Sequence, residues 1–204
     1  MPYVFGYGSL VDRESLEASI GRAVSVADGP FVLRLRGFRR AWNVLGHSSE
    51  RPDYAFSDDS GKPWEGWLAF LGVEPAAGAA TLGVAWRLTA GELEALDDRE
   101  RSYDRVDVTP LLDAATPRRP DGPVMTYVPR DDVVRRAAAV RPAGTVMARY
   151  LRLVDRGYRE LGETVYAEHL AGFPVPEPAA VREIRVRPVV PGGRNEVVDP
   201  DAAP

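Results

Sequence analysis

The sequence predicts an α+β domain, in which a mixed sheet or small barrel carries its helices on the outside. Strand-like segments dominate the first two-thirds of the chain and do not alternate with helices, so a regular βαβ repeat is excluded. A chain of 204 residues can bury one sizeable core. We therefore expect a single domain over residues 1–189. The polar, Pro- and Gly-rich segment 190–204 is expected to be a poorly ordered tail.

The first predicted elements are a strand and a short helix. The apolar run Tyr3-Val4-Phe5 is typical of a strand, and the segment after it places Leu16 and Ile20 on one helical face. The spacing of Ser9 and Asp12 is compatible with a capping box at the start of that helix.

The middle of the chain reads as strands separated by a polar stretch. Residues 23–44 predict two strands around the turn Asp28-Gly29-Pro30, and the polar, turn-rich residues 46–65 predict a long surface loop. The segments 66–73 and 80–88 have few polar interruptions, so they predict two central strands.

A capping box and an apolar stripe predict the two main later helices. Thr89 and Glu92 form the capping box of a helix that ends around residues 99–101. Two further strands are expected at 103–112 and 123–130. The spacing of apolar residues in 144–161 then predicts an amphipathic helix packed on the sheet.

Composition excludes several classes of function. A net charge of -4 and a pI near 5.3 argue against a nucleic-acid or anionic-membrane partner. No apolar stretch approaches the roughly 20 residues of a membrane helix. The N-terminus lacks the pattern of a signal peptide, so a cytoplasmic protein is expected.

The counts of cysteine and histidine limit the available chemistry. With no cysteine, the chain has no disulfide, thiolate nucleophile or Cys-ligated metal. The two histidines, His47 and His169, lack metal-pair spacing, and His169 is expected to be structural, on a helix. We therefore expect no metal and no cofactor, and the chemistry must use carboxylates, hydroxyls or the backbone.

The segment Gly6-Tyr7-Gly8-Ser9-Leu10, directly after the first strand, is the first candidate site. Glycine at this place is consistent with a simple tight turn. It is equally consistent with a backbone cradle, in which successive N–H groups converge on an anion or an oxyanion. The segment lacks the lysine of a phosphate-binding P-loop and the third glycine of a dinucleotide fingerprint. A nucleotide is therefore not the expected ligand.

Glu100 is the second candidate, in the stretch "LDDRERSYDRV". Charges of both signs alternate here, and composition alone indicates a solvated charge cluster.

Taken together, these motifs resemble one known family. "YGSL" after a first strand, with "LDDRERSY" after a central strand, is similar to the gamma-glutamylcyclotransferase family. The fuller "VFGYGSL", with "GFRRAWN" at 37–43 and "GVAWRLT" at 83–89, resembles its ChaC-type, glutathione-degrading members. "LDDRERSYDRVDV" and "TYVP" look more like the general gamma-glutamyl and AIG-like relatives. The resemblance covers residues 3–128.

The resemblance implies a gamma-glutamylcyclotransferase-like mixed β-barrel with flanking helices. It implies an enzyme of the lyase or acyltransferase type. The α-amino group of a γ-glutamyl substrate would attack its own γ-carbonyl, forming 5-oxoproline and releasing an amine or amino acid. Such ring closure needs a proton acceptor and oxyanion donors, without a covalent intermediate or a metal.

The resemblance also assigns roles to residues. Glu100 matches the catalytic acid/base, and Tyr127 matches a site tyrosine, although a core aromatic is an equal interpretation. Arg101 stands where relatives carry glycine, so Asp97 and Asp98 stay open as alternatives to Glu100. The residues that match the substrate-binding loop are Gly6, Tyr7, Gly8, Ser9 and Leu10.

Several alternatives stay open at this level. Glutathione, a γ-glutamyl amino acid and a γ-glutamylamine are all possible small-molecule substrates, and the oligomeric state is unknown. A catalytically silent binding protein would keep the loop but expose Glu100. A serine hydrolase would use His47, although the chain lacks a G-x-S-x-G elbow. Segment 46–65 is a candidate for the amine side of the pocket, and Tyr103 is expected to serve in packing.

Overall fold

The computed structural model describes residues 1–113, 118–140 and 144–189. This part contains helices α1–α5 and strands β1–β9. The helices are Arg13–Ile20, Ala90–Arg99, Asp131–Ala139, Ala148–Arg159 and Glu163–Ala171. The strands are Tyr3–Gly6, Phe31–His47, Tyr54–Asp58, Trp67–Arg87, Tyr103–Asp107, Val124–Pro129, Val146–Met147, Val181–Arg182 and Ile184–Pro188.

The main sheet has five strands in the order β2-β4-β1-β6-β5. β1 runs parallel to β6, while the other neighbouring pairs are antiparallel. The sheet is curled into a half-barrel, which confirms the predicted α+β class and its mixed sheet. The register of β2 against β4 shifts between Arg36 and Phe38 and again between Ala41 and Val44, and such bulges bend a strand. Gly37, at φ 81°, supplies the left-handed conformation at the first shift.

The central strand β1 is buried on both of its faces. Val4 belongs to the apolar cluster beneath α1, α2 and α4, together with Leu16 and Leu96. Tyr3 and Phe5 belong to the cluster on the opposite face. The end of β1, where the glycine-containing loop begins, is therefore fixed by packing on both sides.

The polar middle of the chain is more regular than the sequence predicts. Segment 66–88, interpreted as parts of two strands, forms one 21-residue strand, β4. Its antiparallel partner β2 extends to His47. Segment 46–65 is therefore not one long loop, because it holds the end of β2, a 3-10 turn at Ser48–Glu50 and β3. The strand predicted before Asp28 does not form.

Side chains cap the N-termini of α1 and α2. The predicted capping box at Thr89 is confirmed. The Thr89 hydroxyl accepts a hydrogen bond from the Glu92 N–H, and the Glu92 carboxylate accepts one from the Thr89 N–H. The box predicted at Ser9 is wrong. Ser9 begins a 3-10 turn, and Asp12 caps α1 by accepting from the Ser15 N–H at 2.9 Å. A carboxylate placed directly before the first helical turn satisfies those N–H groups better than a serine three residues earlier.

The C-terminal third also forms more elements than the sequence predicts. The predicted amphipathic helix is confirmed as α4, and His169 lies on α5 as expected. No described helix is long and apolar enough to cross a membrane. Residues 190–204, where a poorly ordered tail is expected, lie outside the described residues.

Candidate active site

The loop Gly6–Leu10 lies at the end of β1, and steric crowding requires a glycine at its first position. A Cβ atom on Gly6 would lie 2.7 Å from the Leu10 Cβ and 2.8 Å from the Leu10 carbonyl carbon. The backbone of a packed turn cannot move away from such a contact. A Cβ on Gly8 would instead lie 2.8 Å from the Tyr150 hydroxyl oxygen. Gly6 therefore allows the chain to turn, and Gly8 makes room for Tyr150.

All four carbonyl groups of residues 7–10 accept a hydrogen bond from the surrounding fold. In chain order they accept from the Tyr158 hydroxyl at 3.3 Å, the Val11 N–H at 3.1 Å, the Asp12 N–H at 3.2 Å and the Trp86 indole at 2.9 Å. Within the described residues, none of the four N–H groups donates to a backbone carbonyl. The loop is thus held through its acceptors, and the Ser9 N–H is engaged with the Tyr150 hydroxyl oxygen. The N–H groups of Tyr7, Gly8 and Leu10 donate to no described backbone carbonyl, as an anion cradle requires.

Glu100 is the C-cap of α2, three residues before the start of β5. Its backbone N–H donates to the Leu96 carbonyl at 2.8 Å, and its carbonyl accepts from the Tyr103 N–H at 2.9 Å. This turn directs the side chain inward, where it is 14% exposed and lines a small cavity with the Gly6–Leu10 loop. The interpretation of this stretch as a uniformly solvated charge cluster is therefore wrong at Glu100.

The two neighbouring aspartates do not share this position. The Asp97 carboxylate accepts from the Tyr127 hydroxyl at 2.9 Å and pairs with Arg105 at 2.8 Å. Asp98 is exposed. Of the described residues that line the inner cavity, Glu100 is the one carboxylate.

Arg99 connects the loop to the carboxylate. One terminal nitrogen donates to the Ser9 hydroxyl at 2.9 Å, and Nε lies 3.3 Å from Glu100 Oε1. The same guanidinium also donates to the hydroxyl of Ser19 on α1. The contact positions Ser9 through its side chain, a role that the sequence pattern does not reveal.

Tyr127 is at once a core residue and a cavity residue, so both sequence-based interpretations describe part of its position. It is 4% exposed and lines the inner cavity, while its hydroxyl points to Asp97. Burial first, and then the hydrogen bond to Asp97, raises the pKa of the Tyr127 hydroxyl above its ordinary value. The phenol therefore stays protonated.

Two further tyrosines, which the sequence predicted to serve in packing, also line the inner cavity. The Tyr103 hydroxyl donates to the Leu71 carbonyl at 3.0 Å, and the Tyr150 hydroxyl lies against Gly8. Burial raises the pKa of both phenols above their ordinary values. Tyr103 stood within the recognised stretch "LDDRERSY", whereas Tyr150 sits on an apolar helix stripe and offers no sequence signal for a site.

Burial also governs the charge state of Glu100. It raises the pKa of the Glu100 carboxyl above its ordinary value, and the nearby guanidinium groups of Arg99 and Arg51 oppose that rise. A carboxylate with a raised pKa, next to N–H donors, can accept and return a proton near neutral pH. Among the described residues, no three acidic or histidine side chains form a group that could hold a metal ion.

The inner cavity of about 40 Å³ adjoins a larger pocket of about 430 Å³. Both spaces are lined by Ser9, Glu100, Tyr103 and Tyr150. We call them the inner cavity and the outer pocket. Glu100 therefore stands at the boundary between the small space beside the loop and the larger pocket next to it.

His47 lies outside both spaces. Its ring Nδ1 is 2.7 Å from the hydroxyl of Ser49, and the ring packs edge-on against Trp67. The nearby Glu50 carboxylate accepts from the His47 backbone N–H at 3.3 Å and not from the ring. Among the described residues no carboxylate hydrogen-bonds the imidazole, so the arrangement of a serine-hydrolase triad is not formed there.

Among comparisons with known proteins, only the comparison with solved structures gives matches. No family model matches the sequence, and no curated protein matches it. A solved structure named gamma-glutamyl cyclotransferase is similar with a TM-score of 0.52 at 18% identity, over 86% of this chain and 90% of that one. An uncharacterized protein from Homo sapiens gives a TM-score of 0.51 at 18% identity, over 86% and 89% of the two chains.

A third similar structure is YkqA from Bacillus subtilis, with a TM-score of 0.50 at 17% identity. It is matched over 83% of this chain and 52% of its own length. At such identities the likeness is one of backbone architecture. The chain therefore has the gamma-glutamylcyclotransferase-like fold, the fold that the resemblance of its sequence motifs implies.

Proposed function

We propose that this protein is a cofactor-independent gamma-glutamylcyclotransferase, which converts a γ-glutamyl compound to 5-oxoproline and releases its amine. One observation carries the proposal. The shielded carboxylate of Glu100 and the loop Gly6–Leu10, from distant parts of the chain, line the same inner cavity. The name and fold of the similar gamma-glutamyl cyclotransferase structure support the same activity.

The reaction is well matched to these groups. The α-amino nitrogen of the substrate forms a bond to the γ-carbonyl carbon, and the bond from that carbon to the leaving amine breaks. Because nucleophile and electrophile belong to one molecule, the protein has only to fold the substrate and manage its protons. Neither an enzyme nucleophile nor an external reactant is consumed.

Glu100 is the proposed general acid/base. The α-ammonium loses two protons as it becomes the ring N–H, and the departing amine gains two and leaves as an ammonium. Glu100 accepts each proton and passes it on, so it ends in its starting state. Burial raises the pKa of Glu100, which brings its proton affinity closer to that of an amine than an exposed carboxylate allows.

The loop is the proposed anion-binding element. Its carbonyl groups are held by the fold, and its N–H groups donate to no backbone carbonyl in the described residues. Such donors stabilise a substrate carboxylate or the oxyanion that develops on the γ-carbonyl, without rearranging during the reaction. The buried phenols of Tyr103 and Tyr150 stay protonated and supply further polar contacts.

A direct assay tests the proposal. The protein is incubated in EDTA with glutathione, γ-glutamyl amino acids and γ-glutamylamines, and 5-oxoproline is measured. We expect product from at least one compound with wild-type protein, and a large loss with Glu100→Gln. Absence of product from every γ-linked compound would refute the proposed activity.

A catalytically silent binding protein is the second candidate, and the burial of Glu100 argues against it. A binding protein has no use for a desolvated carboxylate that raises the energy of the folded state. Calorimetric binding of a γ-glutamyl compound without 5-oxoproline formation would favour this alternative.

A further inference from the structure

The outer pocket is the space into which a group leaving from Glu100 would pass. It shares Glu100 and Tyr103 with the inner cavity and is about ten times larger. Segment 46–65, proposed from sequence position to line the amine side, contributes Gly46, Arg51 and Tyr54 to its wall.

The wall of the outer pocket is strongly positive. Its described lining contains three guanidinium groups, from Arg51, Arg99 and Arg149, and one carboxylate, from Glu100. Two positive charges are thus in excess, although the whole chain carries a net charge of -4. A pocket with this balance favours an anionic ligand.

The three arginines differ in what already engages them. Arg99 donates to Ser9 and Ser15 and pairs with Glu100, so its hydrogen-bonding groups are largely used. Arg149 is exposed at the rim, where the outer pocket meets a neighbouring groove. Arg51 differs from Arg99 in having no ion pair within the described residues, and from Arg149 in lying beside Glu100 and not at the rim.

Arg51 lies beside the site with its charge uncompensated by an ion pair. Its guanidinium lies 5.5 Å from the ring centroid of Phe70, which holds it by a cation–π contact. In the part of the chain that the structure describes, no carboxylate lies within salt-bridge distance of it. Its charge nevertheless reaches Glu100, because it helps to hold down the pKa of that carboxyl.

We propose that the outer pocket selects leaving amines that carry a carboxylate, such as an amino acid or a peptide, and that Arg51 binds this carboxylate. The inference rests on the proposed cyclotransferase function and specifies its substrate class. The fork of a guanidinium matches the two oxygens of a carboxylate, whereas a neutral alkylamine offers it no acceptor.

Three substrates that differ at one position test the selection. They are γ-glutamyl-alanine, its neutral carboxamide γ-glutamyl-alaninamide, and γ-glutamyl-ethylamide, which lacks the group altogether. For wild-type protein we expect kcat/KM for the carboxylate to exceed both neutral compounds by roughly ten- to a hundred-fold, the usual worth of a charge-assisted hydrogen bond. Equal values for the three compounds would overturn the inference.

Variants then assign the selection to Arg51. Arg51→Gln should bring the three kcat/KM values within a few-fold of one another, chiefly by raising KM for the carboxylate. Arg51→Lys keeps the charge and should retain part of the preference. Arg101→Gln is the matched control, because Arg101 is a close neighbour of Glu100 in sequence and lines neither space. Full preference in a folded Arg51→Gln protein would reject the role of Arg51.

The design separates this inference from other effects. If Arg51 acted only through the pKa of Glu100, its loss would change the three substrates equally and shift the pH profile, which would contradict carboxylate binding. If none of the compounds yields 5-oxoproline, the proposed activity itself fails. If all three are turned over alike, the activity stands and the substrate class is wrong.

Discussion

The hydroxyl of Tyr7 donates a hydrogen bond of 2.6 Å to the backbone carbonyl of Tyr127, across 120 positions of sequence. Both residues are buried, and both line the inner cavity. The bond joins the loop after β1 to strand β6, which runs parallel to β1. The position of the loop is therefore set partly by a residue from a distant strand.

Removing this hydroxyl should loosen the loop. Tyr7→Phe leaves the buried Tyr127 carbonyl without its donor, and we expect the free energy of unfolding to fall by about 1–3 kcal/mol. Chemical denaturation measures it, and kcat/KM should fall as well. Tyr3→Phe is the control, because the Tyr3 hydroxyl binds Asp121 away from the cavity. Unchanged stability and activity in Tyr7→Phe would show that this bond does not position the loop.

Glu100→Gln should separate binding from chemistry. Glutamine keeps the shape of the side chain but cannot take a proton, so we expect kcat to fall roughly 10²–10⁴-fold with little change in substrate binding. The exposed Asp98→Asn is the clean control and should be almost neutral. Asp97→Asn should keep kcat but lose some stability, because Asp97 holds Tyr127 and Arg105. If Asp97→Asn or Asp98→Asn lost activity while Glu100→Gln kept it, that aspartate and not Glu100 would be the catalytic residue.

The same substitution should change how stability depends on pH. The folded pKa of Glu100 lies above its ordinary value of 4.5, so the folded protein holds this proton more tightly than the unfolded chain. The associated stability is present below about pH 4.5 and is lost as pH rises through the folded pKa. Glu100→Gln has no such proton to lose. Its Tm relative to wild type should therefore increase between pH 4.5 and pH 7, and a constant difference would contradict the buried carboxylate.

The two loop glycines should respond differently to alanine. The Cβ of Gly8→Ala meets the Tyr150 hydroxyl oxygen, and Tyr150→Phe removes that oxygen. We therefore expect Gly8→Ala to reduce kcat/KM less in a Tyr150→Phe background than in wild type. Gly6→Ala meets the backbone of Leu10, so Tyr150→Phe should not relieve it. Equal losses from Gly8→Ala in both backgrounds would show that the contact with Tyr150 is unimportant.

His169 should make the fold sensitive to acid. Its ring stacks on Tyr158 with centroids 3.8 Å apart, and Nδ1 lies 2.8 Å from an Arg40 nitrogen. Burial, followed by the charge of Arg40, lowers the pKa of His169 from 6.5 to about 4. The unfolded chain binds the proton first, so stability is full above pH 6.5 and is lost as pH falls to about 4.

The expected loss over that window is on the order of 3 kcal/mol. Denaturation of wild type and His169→Gln across this range measures it, and the variant should show a flatter profile. An equally steep profile in His169→Gln would assign the acid sensitivity to other groups.

The sequence by itself determined the features that depend on neighbours along the chain. Strand β1 follows from an apolar run, α2 from the capping box at Thr89, and α4 from its apolar stripe. These signals act within one turn or one strand, so they can be interpreted without the rest of the fold. The loop after β1 was a candidate for the same reason, since glycine permits tight turns that other residues disfavour.

The tertiary structure decided which of these features meet. Residues 54–58, within the turn-rich stretch 46–65, form a strand because β9, far along the chain, pairs with them, and no local pattern encodes that partner. Alternating charges around Glu100 predict a solvated surface, yet the end of α2 turns this one carboxylate into the cavity beside Gly6–Leu10. Tyr150 reaches Gly8 only because α4 packs over the loop. Burial and contact between distant segments are properties of the packed chain, so the local sequence could name Glu100 as a candidate but could not place it.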